Sequence, residues 1–244
     1  LQSANRPPDN TTILTDGDRY SRRLRLLDAV EDNFSKKEGA QIVADHRKLV
    51  ESAADMIRSP RMEAFDLAHE STTLRAAYGE GEFAAGCMMA RRLVEHGVTF
   101  VEVVLNGWDT HLDNFARSRE LCAQFDQPMA TLIGDLKSRG MLEKTLVVWL
   151  GEFGRTPQVN PRAGRDHYPR AFNAVLAGGG VRGGQVVGTT NDAGTDVVER
   201  PVTIADFFRS IYHTLAIDAD QENMSRVGRP IKLVDGGEVV QEVF

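Results

Sequence analysis

Carboxylate, imidazole and guanidinium side chains are concentrated in three short segments of this sequence, NGWDTHLDNF, GEFGRTP and NPRAGRDHYPR. The first two segments directly follow the apolar runs VTFVEVVL and TLVVWL, and the third precedes the run AFNAVLA. The side chains that could do chemistry are Asp109, His111, Glu152, Arg155, Arg165, Asp166 and His167. Open parallel α/β sheets bind ligands beyond the carboxyl ends of their strands. We therefore expect these loops to meet at one edge of a sheet.

The carboxylates and imidazoles predict a metal site. Oxygen ligands would come from Asp109, Glu152 and Asp166, and nitrogen ligands would come from His111 and His167. These are the side chains that bind divalent cations in proteins, so the expected cofactor is a divalent metal: zinc, manganese, calcium or magnesium.

The arginines predict an anionic ligand. Guanidinium groups bind the oxygens of phosphate or sulfate through bidentate hydrogen bonds. Arg155 and Arg165 are therefore the candidates for orienting a substrate, and Arg170 lies nearby in the sequence. Metal, carboxylate and arginine together are typical of phosphoryl or sulfuryl transfer. The expected partner is a small anionic ester or a sulfated glycan.

Each segment alone also has a plainer interpretation. Asp109 and His111 could cap a helix or form a hydrogen-bonded loop pair, and Glu152 with Arg155 could be a surface ion pair of little energetic weight. The alternatives to a hydrolase are a noncatalytic module that binds sulfated or phosphorylated ligands or a partner protein, and a purely structural polar rim.

The surrounding pattern predicts an α/β fold with a mostly parallel central sheet flanked by helices. Helical periodicity runs from residue 19 to the Ser59-Pro60 step, and further helices end at Gly79, Gly97 and near Gly140. The segments VTFVEVVL, TLVVWL, AFNAVLA and QVVG are strand-like, and a last helix begins with Thr203 as its N-cap. The tail PIKLVDGGEVVQEVF predicts a hairpin. The expected division is a helical segment, 1–80, followed by an α/β core, 81–244.

Composition limits the functional classes. With 29 Lys and Arg residues against 35 Asp and Glu residues, the net charge is -6, which gives no electrostatic reason to expect a nucleic-acid partner. No run approaches the roughly 20 apolar residues needed for a transmembrane helix. Two cysteines, Cys87 and Cys122, match neither a disulfide framework nor a zinc spacing. The oligomeric state is left open.

Four longer motifs together resemble a known bacterial family, the one called domain of unknown function 1501. They are ARRLVEHGVTFVEVVLNGWDTH, TLVVWLGEFGRTP, GRDHYPRAFNAVLAGGGVRGGQVVG and RPVTIADFFRSIYHTLAID. The resemblance implies membership of the alkaline phosphatase and sulfatase superfamily. It implies an alkaline phosphatase-like α/β fold, hydrolysis of phosphate or sulfate esters with divalent metals, and a periplasmic or exported location.

The same resemblance implies roles for particular residues. Asp109, His111 and His167 resemble the ligands of one metal, and Glu152 takes the place of a residue that reaches a second metal. The superfamily has Asp-His or Asp-Asn there, whereas this chain has Glu152-Phe153. The polar opening LQSANRPPDN, without the family's Asp-bearing first strand and nucleophile region, predicts that this chain is the C-terminal portion of a longer protein.

Overall fold

The structure, a computed structural model, describes residues 3–4, 8–9, 11, 13–36 and 39–244. The chain divides into two compact units, Leu1–Val104 and Leu105–Phe244. The described part of the first unit is helical and carries no strand, whereas the second unit contains helices and short strands. The boundary that the sequence predicts after residue 80 lies within the first unit, just before its last helix.

The first unit begins with two long helices, α1 (Gly17–Ser35) and α2 (Ala40–Arg58). Gly39, at φ +83°, lies where the chain turns between them, in a conformation that glycine adopts without steric cost. Ser59 follows α2 with an extended ψ of 133°. This is the conformation that a following proline imposes, so Pro60 ends the helix as predicted.

Two shorter helices, α3 (Thr72–Tyr78) and α4 (Glu82–Glu95), complete the first unit. Gly79 ends α3 at φ +90°, and Gly97 follows α4 at φ +88°, so both predicted glycine stops are confirmed. Cys87 of α4 is buried, and burial raises the pKa of its thiol to about 12. Two 3₁₀ segments, Pro60–Phe65 and Leu67–His69, connect α2 to α3.

The apolar run VTFVEVVL forms no strand in the structure, contrary to the prediction. Phe100 is 81% exposed and Val104 is 60% exposed, so these side chains do not form a buried sheet face. A strand depends on backbone hydrogen bonds to a neighbouring strand, and β-branched composition alone does not supply them.

The second unit places two helices among eight short strands. Its helices are α5 (Asn114–Ser138) and α6 (Ile204–Thr214), with 3₁₀ turns at Leu142–Lys144 and Gln241–Val243. The strands are β1 (Val147–Leu150), β2 (Gly154–Arg155), β3 (His167–Tyr168), β4 (Ala174–Ala177), β5 (Thr189–Thr190), β6 (Val197–Glu199), β7 (Glu222–Met224) and β8 (Pro230–Lys232).

The strands form four separate antiparallel pairs, which overturns the predicted parallel sheet. The pairs are β1 with β4, β2 with β3, β5 with β6, and β7 with β8. A parallel pair needs a long crossover connection, usually a helix. The segment between β1 and β4 instead contains the small β2–β3 hairpin and no helix. The prediction of a mostly parallel, alkaline phosphatase-like central sheet is therefore wrong for the described residues.

Two smaller strand predictions are also wrong. The segment QVVG, residues 185–188, carries no strand, and the nearest strand is β5. In the tail, β8 pairs with β7, which precedes it in the chain, with Asn223 opposite Ile231. No strand follows residues 235–237, so the predicted hairpin around Asp-Gly-Gly is wrong.

The long helices of the second unit follow their sequence signals. α5 ends beside Gly140 (φ +66°), and Thr203 caps α6 as predicted. None of the helices in the described part of the chain combines the length and apolar character that a membrane crossing requires.

Candidate metal centre

The β2–β3 hairpin positions two of the predicted site residues. Gly154 lies opposite Tyr168, and Arg155 lies opposite His167. Directly opposed residues of an antiparallel pair project from the same face, which makes Arg155 and His167 neighbours. Gly154 is required here because a Cβ atom would lie 2.0 Å from the carbonyl oxygen of Ala171.

Asp109 and His111 lie on the loop before α5, and the residue between them anchors that loop. Thr110 is only 1% exposed, and its Oγ1 accepts a hydrogen bond from Asn114 Nδ2 at 2.6 Å. The backbone N–H of Arg165 donates to the Thr110 carbonyl oxygen at 3.0 Å. The carbonyl group of Thr110 therefore ties the Asp109 loop to the loop that carries His167, and its hydroxyl ties the Asp109 loop to the start of α5.

Asp109, His111 and His167 come together as an Asp-His-His cluster. The Asp109 Oδ1 atom lies 3.1 Å from His111 Nε2 and 3.0 Å from His167 Nε2. The two Nε2 atoms are 3.2 Å apart. All three residues can therefore offer one ligand atom to a single ion.

A carboxylate behind His111 fixes the orientation of its ring. Asp166 Oδ1 lies 2.9 Å from His111 Nδ1, and Asn160 Nδ2 donates to the same oxygen at 3.1 Å. When Nδ1 carries the proton, Nε2 presents its lone pair toward Asp109 and His167. Asp166 thus bonds to the ring nitrogen of His111 that does not face Asp109 and His167. Metal-ligating histidines commonly have a carboxylate partner in this position.

Arg155 approaches the cluster from the β2 side. Its Nη2 atom lies 2.8 Å from Asp109 Oδ1, and its side chain is 19% exposed. Its Nη1 atom is buried and has no hydrogen-bond partner among the described residues. A buried guanidinium nitrogen without an acceptor is costly, and an anionic ligand would satisfy it.

Both carboxylates of the site are held in the ionised form. The pKa of Asp109 is lowered by the hydrogen bond to His167 first and by Arg155 second. The pKa of Asp166 is lowered by the hydrogen bond to His111 first and by Asn160 second. Both groups are therefore charged at neutral pH, which is the state that binds a cation.

The donor set of the Asp-His-His cluster fits a divalent metal. A tetrahedral zinc ion with bonds of about 2.0–2.1 Å separates its ligands by about 3.3 Å. The observed separations of 3.0, 3.1 and 3.2 Å are close to that value. Three protein ligands also leave a further coordination position for water or substrate.

A comparison with family models identifies the family of the chain. The model described as "Protein of unknown function (DUF1501)" matches residues 3–244. The chain belongs to the DUF1501 family. No curated protein and no solved structure matches the chain significantly.

The remaining predicted site residues of this DUF1501 chain lie in other surroundings. Glu152 is exposed and is not a member of the Asp-His-His cluster. Arg165 Nη1 donates to the carbonyl oxygens of Thr156 and Pro157, both at 2.6 Å, so it holds the loop backbone. Arg170 forms an ion pair with Asp196.

Sequence reasoning missed Asn160 and Gly164, which shape the loop behind the cluster. Asn160 Nδ2 donates to the His111 carbonyl oxygen at 3.1 Å, and its Oδ1 accepts from the Gly164 N–H at 3.0 Å. A Cβ atom on Gly164 would lie 2.0 Å from the His111 carbonyl oxygen. The segment NPRAG looks like an ordinary turn in the sequence, and only the paired loop reveals its role.

Proposed function

We propose that this DUF1501 chain contributes a divalent-metal site to a hydrolase of phosphate or sulfate esters. The observation that carries the proposal is the convergence of Asp109, His111 and His167, with Arg155 on the same carboxylate. A relation to the alkaline phosphatase and sulfatase superfamily is part of the proposal and rests on the motif resemblance. The proposal does not depend on a parallel sheet.

The donor set narrows the choice of ion. Two imidazole nitrogens and one carboxylate oxygen favour zinc or manganese, because calcium and magnesium prefer sites built from oxygen. Asp109, His111 and His167 would hold the ion, and Asp166 would keep the His111 ring in place. When bound, the ion would act as a Lewis acid on the ester oxygen and offset the negative charge that develops there.

The protein's own side chains would orient the substrate. Nη2 of Arg155 contacts Asp109, whereas Nη1 has no partner among the described residues. The guanidinium group therefore lies beside the cluster and has a hydrogen-bond donor available for a ligand. Guanidinium binds phosphate or sulfate oxygens through such paired donors. Arg155 is therefore the residue that would bind the anionic ester, while Arg165 would support the loop.

Metal analysis and thermal unfolding test the site. We expect purified protein to bind zinc or manganese and to gain about 2.7 kcal/mol of stability at a free ion concentration about 100 times the Kd. Asp109→Ala and His167→Ala should abolish that gain. Asp192→Ala and His69→Ala, at an exposed aspartate and at a histidine outside the cluster, should keep it. Ion-independent melting of the unsubstituted protein would refute the metal site.

A substrate screen tests the chemistry. We expect turnover of aryl phosphate or aryl sulfate esters by the longest natural form of the protein. Asp109→Ala should lower kcat on the order of 100-fold or more, because the ion that would offset the developing charge loses its carboxylate ligand. Turnover that survives Asp109→Ala would exclude this site as the source of the activity.

One observation favours a second candidate, a noncatalytic module that binds sulfated or phosphorylated ligands. Three hydroxyls near the cluster residues lack a base as their hydrogen-bond acceptor: Thr110 Oγ1 is buried and accepts from Asn114, Thr156 Oγ1 donates to the Gln158 carbonyl, and the Tyr168 hydroxyl donates to the Thr195 carbonyl. None of these three is arranged as an activated nucleophile. Metal-dependent binding of a sulfated glycan without turnover of any ester would support this second candidate.

A further inference from the structure

A single oxygen atom, Asp109 Oδ1, is contacted by three nitrogen-bearing side chains. Two of them are the imidazoles of His111 and His167, at 3.1 and 3.0 Å. The third is the guanidinium of Arg155, whose Nη2 atom is the nearest of the three at 2.8 Å. Arg155 thus supplies a permanent positive charge at the atom that a metal ion would need.

A guanidinium and a divalent cation at one carboxylate oxygen oppose each other. Both draw on the same negative charge, and two positive charges a few ångströms apart repel. The side chain of Asp109 is 67% exposed, so solvent weakens this repulsion without removing it. Arg155 stabilises the ionised carboxylate in the absence of a metal and should weaken the binding of one.

We propose that Arg155 is a built-in competitor of the metal ion at Asp109, which makes anion binding and metal binding cooperative. This inference rests on the proposed function and concerns its regulation. Metal binding would release Nη2 of Arg155 from Asp109. The released guanidinium, whose Nη1 already has no partner among the described residues, would then have two donors for a phosphate or sulfate group.

Linkage makes the effect reciprocal. If the metal frees Arg155 to bind an anion, an anion on Arg155 must tighten the metal by the same factor. The ion and the anionic substrate would therefore each bind more tightly in the presence of the other.

Zinc affinity tests the competition directly. We would measure it by competition with a chromophoric chelator at one fixed pH for the unsubstituted protein, Arg155→Met and Arg170→Met. Arg155→Met should bind zinc on the order of 10-fold more tightly, because a repelling charge is removed. Arg170→Met makes the same charge change at an arginine that pairs with Asp196, so its zinc affinity should stay unchanged. Equal or weaker binding by Arg155→Met would overturn the proposal.

Sulfate, which does not precipitate zinc, probes the coupling. Saturating sulfate should raise the zinc affinity of the unsubstituted protein and of Arg170→Met, and should have a smaller effect on Arg155→Met. An equal effect in all three would mean that sulfate acts on the metal alone, and the proposal would fail.

A structural measurement covers the case in which Arg155→Met does not fold. In crystals of the unsubstituted protein grown with zinc, the Arg155 Nη2 to Asp109 Oδ1 distance should exceed 3.5 Å. A retained contact near 2.8 Å with zinc bound would refute the competition but leave the metal site intact. Absence of both zinc and manganese binding by the unsubstituted protein would instead remove the proposed function itself.

Discussion

At the residue scale, Gly164 sets how closely two loops of the metal centre approach. A Cβ atom at this position would meet the His111 carbonyl oxygen at 2.0 Å and the Leu112 nitrogen at 2.5 Å. Gly164→Ala should therefore push the His111 backbone away from its position. We expect it to destabilise the protein by about 1–3 kcal/mol, the usual range for overpacking, and to weaken zinc binding.

Chemical denaturation and zinc titration of the same sample check this prediction. Gly183→Ala is the matched control, because a Cβ atom at Gly183 has no described heavy atom within 4 Å. It should leave both quantities unchanged. If Gly164→Ala behaved like Gly183→Ala, the close packing of Gly164 on His111 would not be required for the site.

Residue types and their positions in loops beside apolar runs were enough to nominate Asp109, His111 and His167. The same reasoning also nominated Glu152 and Asp166, which are not members of the cluster. The remaining partners of the cluster could not be selected in the same way. Asn160 acts through an amide that bonds simultaneously to His111 and Asp166, and an asparagine in a turn gives no sign of such contacts before the loops are brought together.

At the element scale, the start of α6 combines a strong sequence signal with a matching structure. The Asp206 N–H donates to Thr203 Oγ1 at 3.1 Å, and the Thr203 N–H donates to Asp206 Oδ2 at 2.7 Å. This reciprocal pair is a capping box. Thr203→Ala removes one of its bonds and should lower the free energy of unfolding by about 1 kcal/mol.

Urea unfolding measures the effect of Thr203→Ala as a lower midpoint at an unchanged m value. Thr203→Ser keeps the hydroxyl and should stay close to the unsubstituted protein. Equal midpoints for the alanine and serine variants would mean that the side-chain bond of Thr203 contributes nothing to α6.

Helices could be predicted because their signals are local in the sequence. Strand pairing could not be predicted, because it depends on residues that are distant in the sequence. Gly79, Pro60 and Thr203 each act within one turn of the helix that they delimit. The run TLVVWL was identified as a strand, but nothing in its own residues states that Val147 pairs antiparallel with Ala177. The run VTFVEVVL is also rich in β-branched and apolar residues but forms no strand, which indicates that pairing, and not composition alone, decides the outcome.

At the scale of the whole molecule, the location of the protein stays a prediction. The family resemblance implies a periplasmic or exported protein, and an exported site would take its metal from outside the cytoplasm. Cell fractionation of the native host with an antibody to this chain would test it. Recovery in the cytoplasmic fraction alone would count against export.

Acid stability of the second unit depends on Asp220, which joins α6 to β8. Its carboxylate accepts from Arg209 Nη2 at 2.7 Å and lies 3.4 Å from Lys232 Nζ. The hydrogen bond to Arg209, followed by the one to Lys232, lowers the pKa of Asp220 from its usual 3.8 to about 2. A lowered pKa in the folded state means that the ionised form stabilises the fold. This stabilisation is complete above pH 3.8 and is lost as the pH falls toward 2.

Asp220→Asn removes that pH-dependent contribution and should change the shape of the acid-stability curve. At pH 7 the variant should melt slightly below the unsubstituted protein, because Arg209 and Lys232 lose their counter-charge; the shift should be small because solvent screens the exposed Asp220 carboxylate. The gap should narrow as the pH falls from 3.8 to about 2, where Asp220 itself becomes protonated. Asp192→Asn is the control, since Asp192 is exposed and makes no ion pair with a described residue, and its gap should stay small throughout. A pH-independent gap for Asp220→Asn would mean that packing, and not the charge of Asp220, joins α6 to β8.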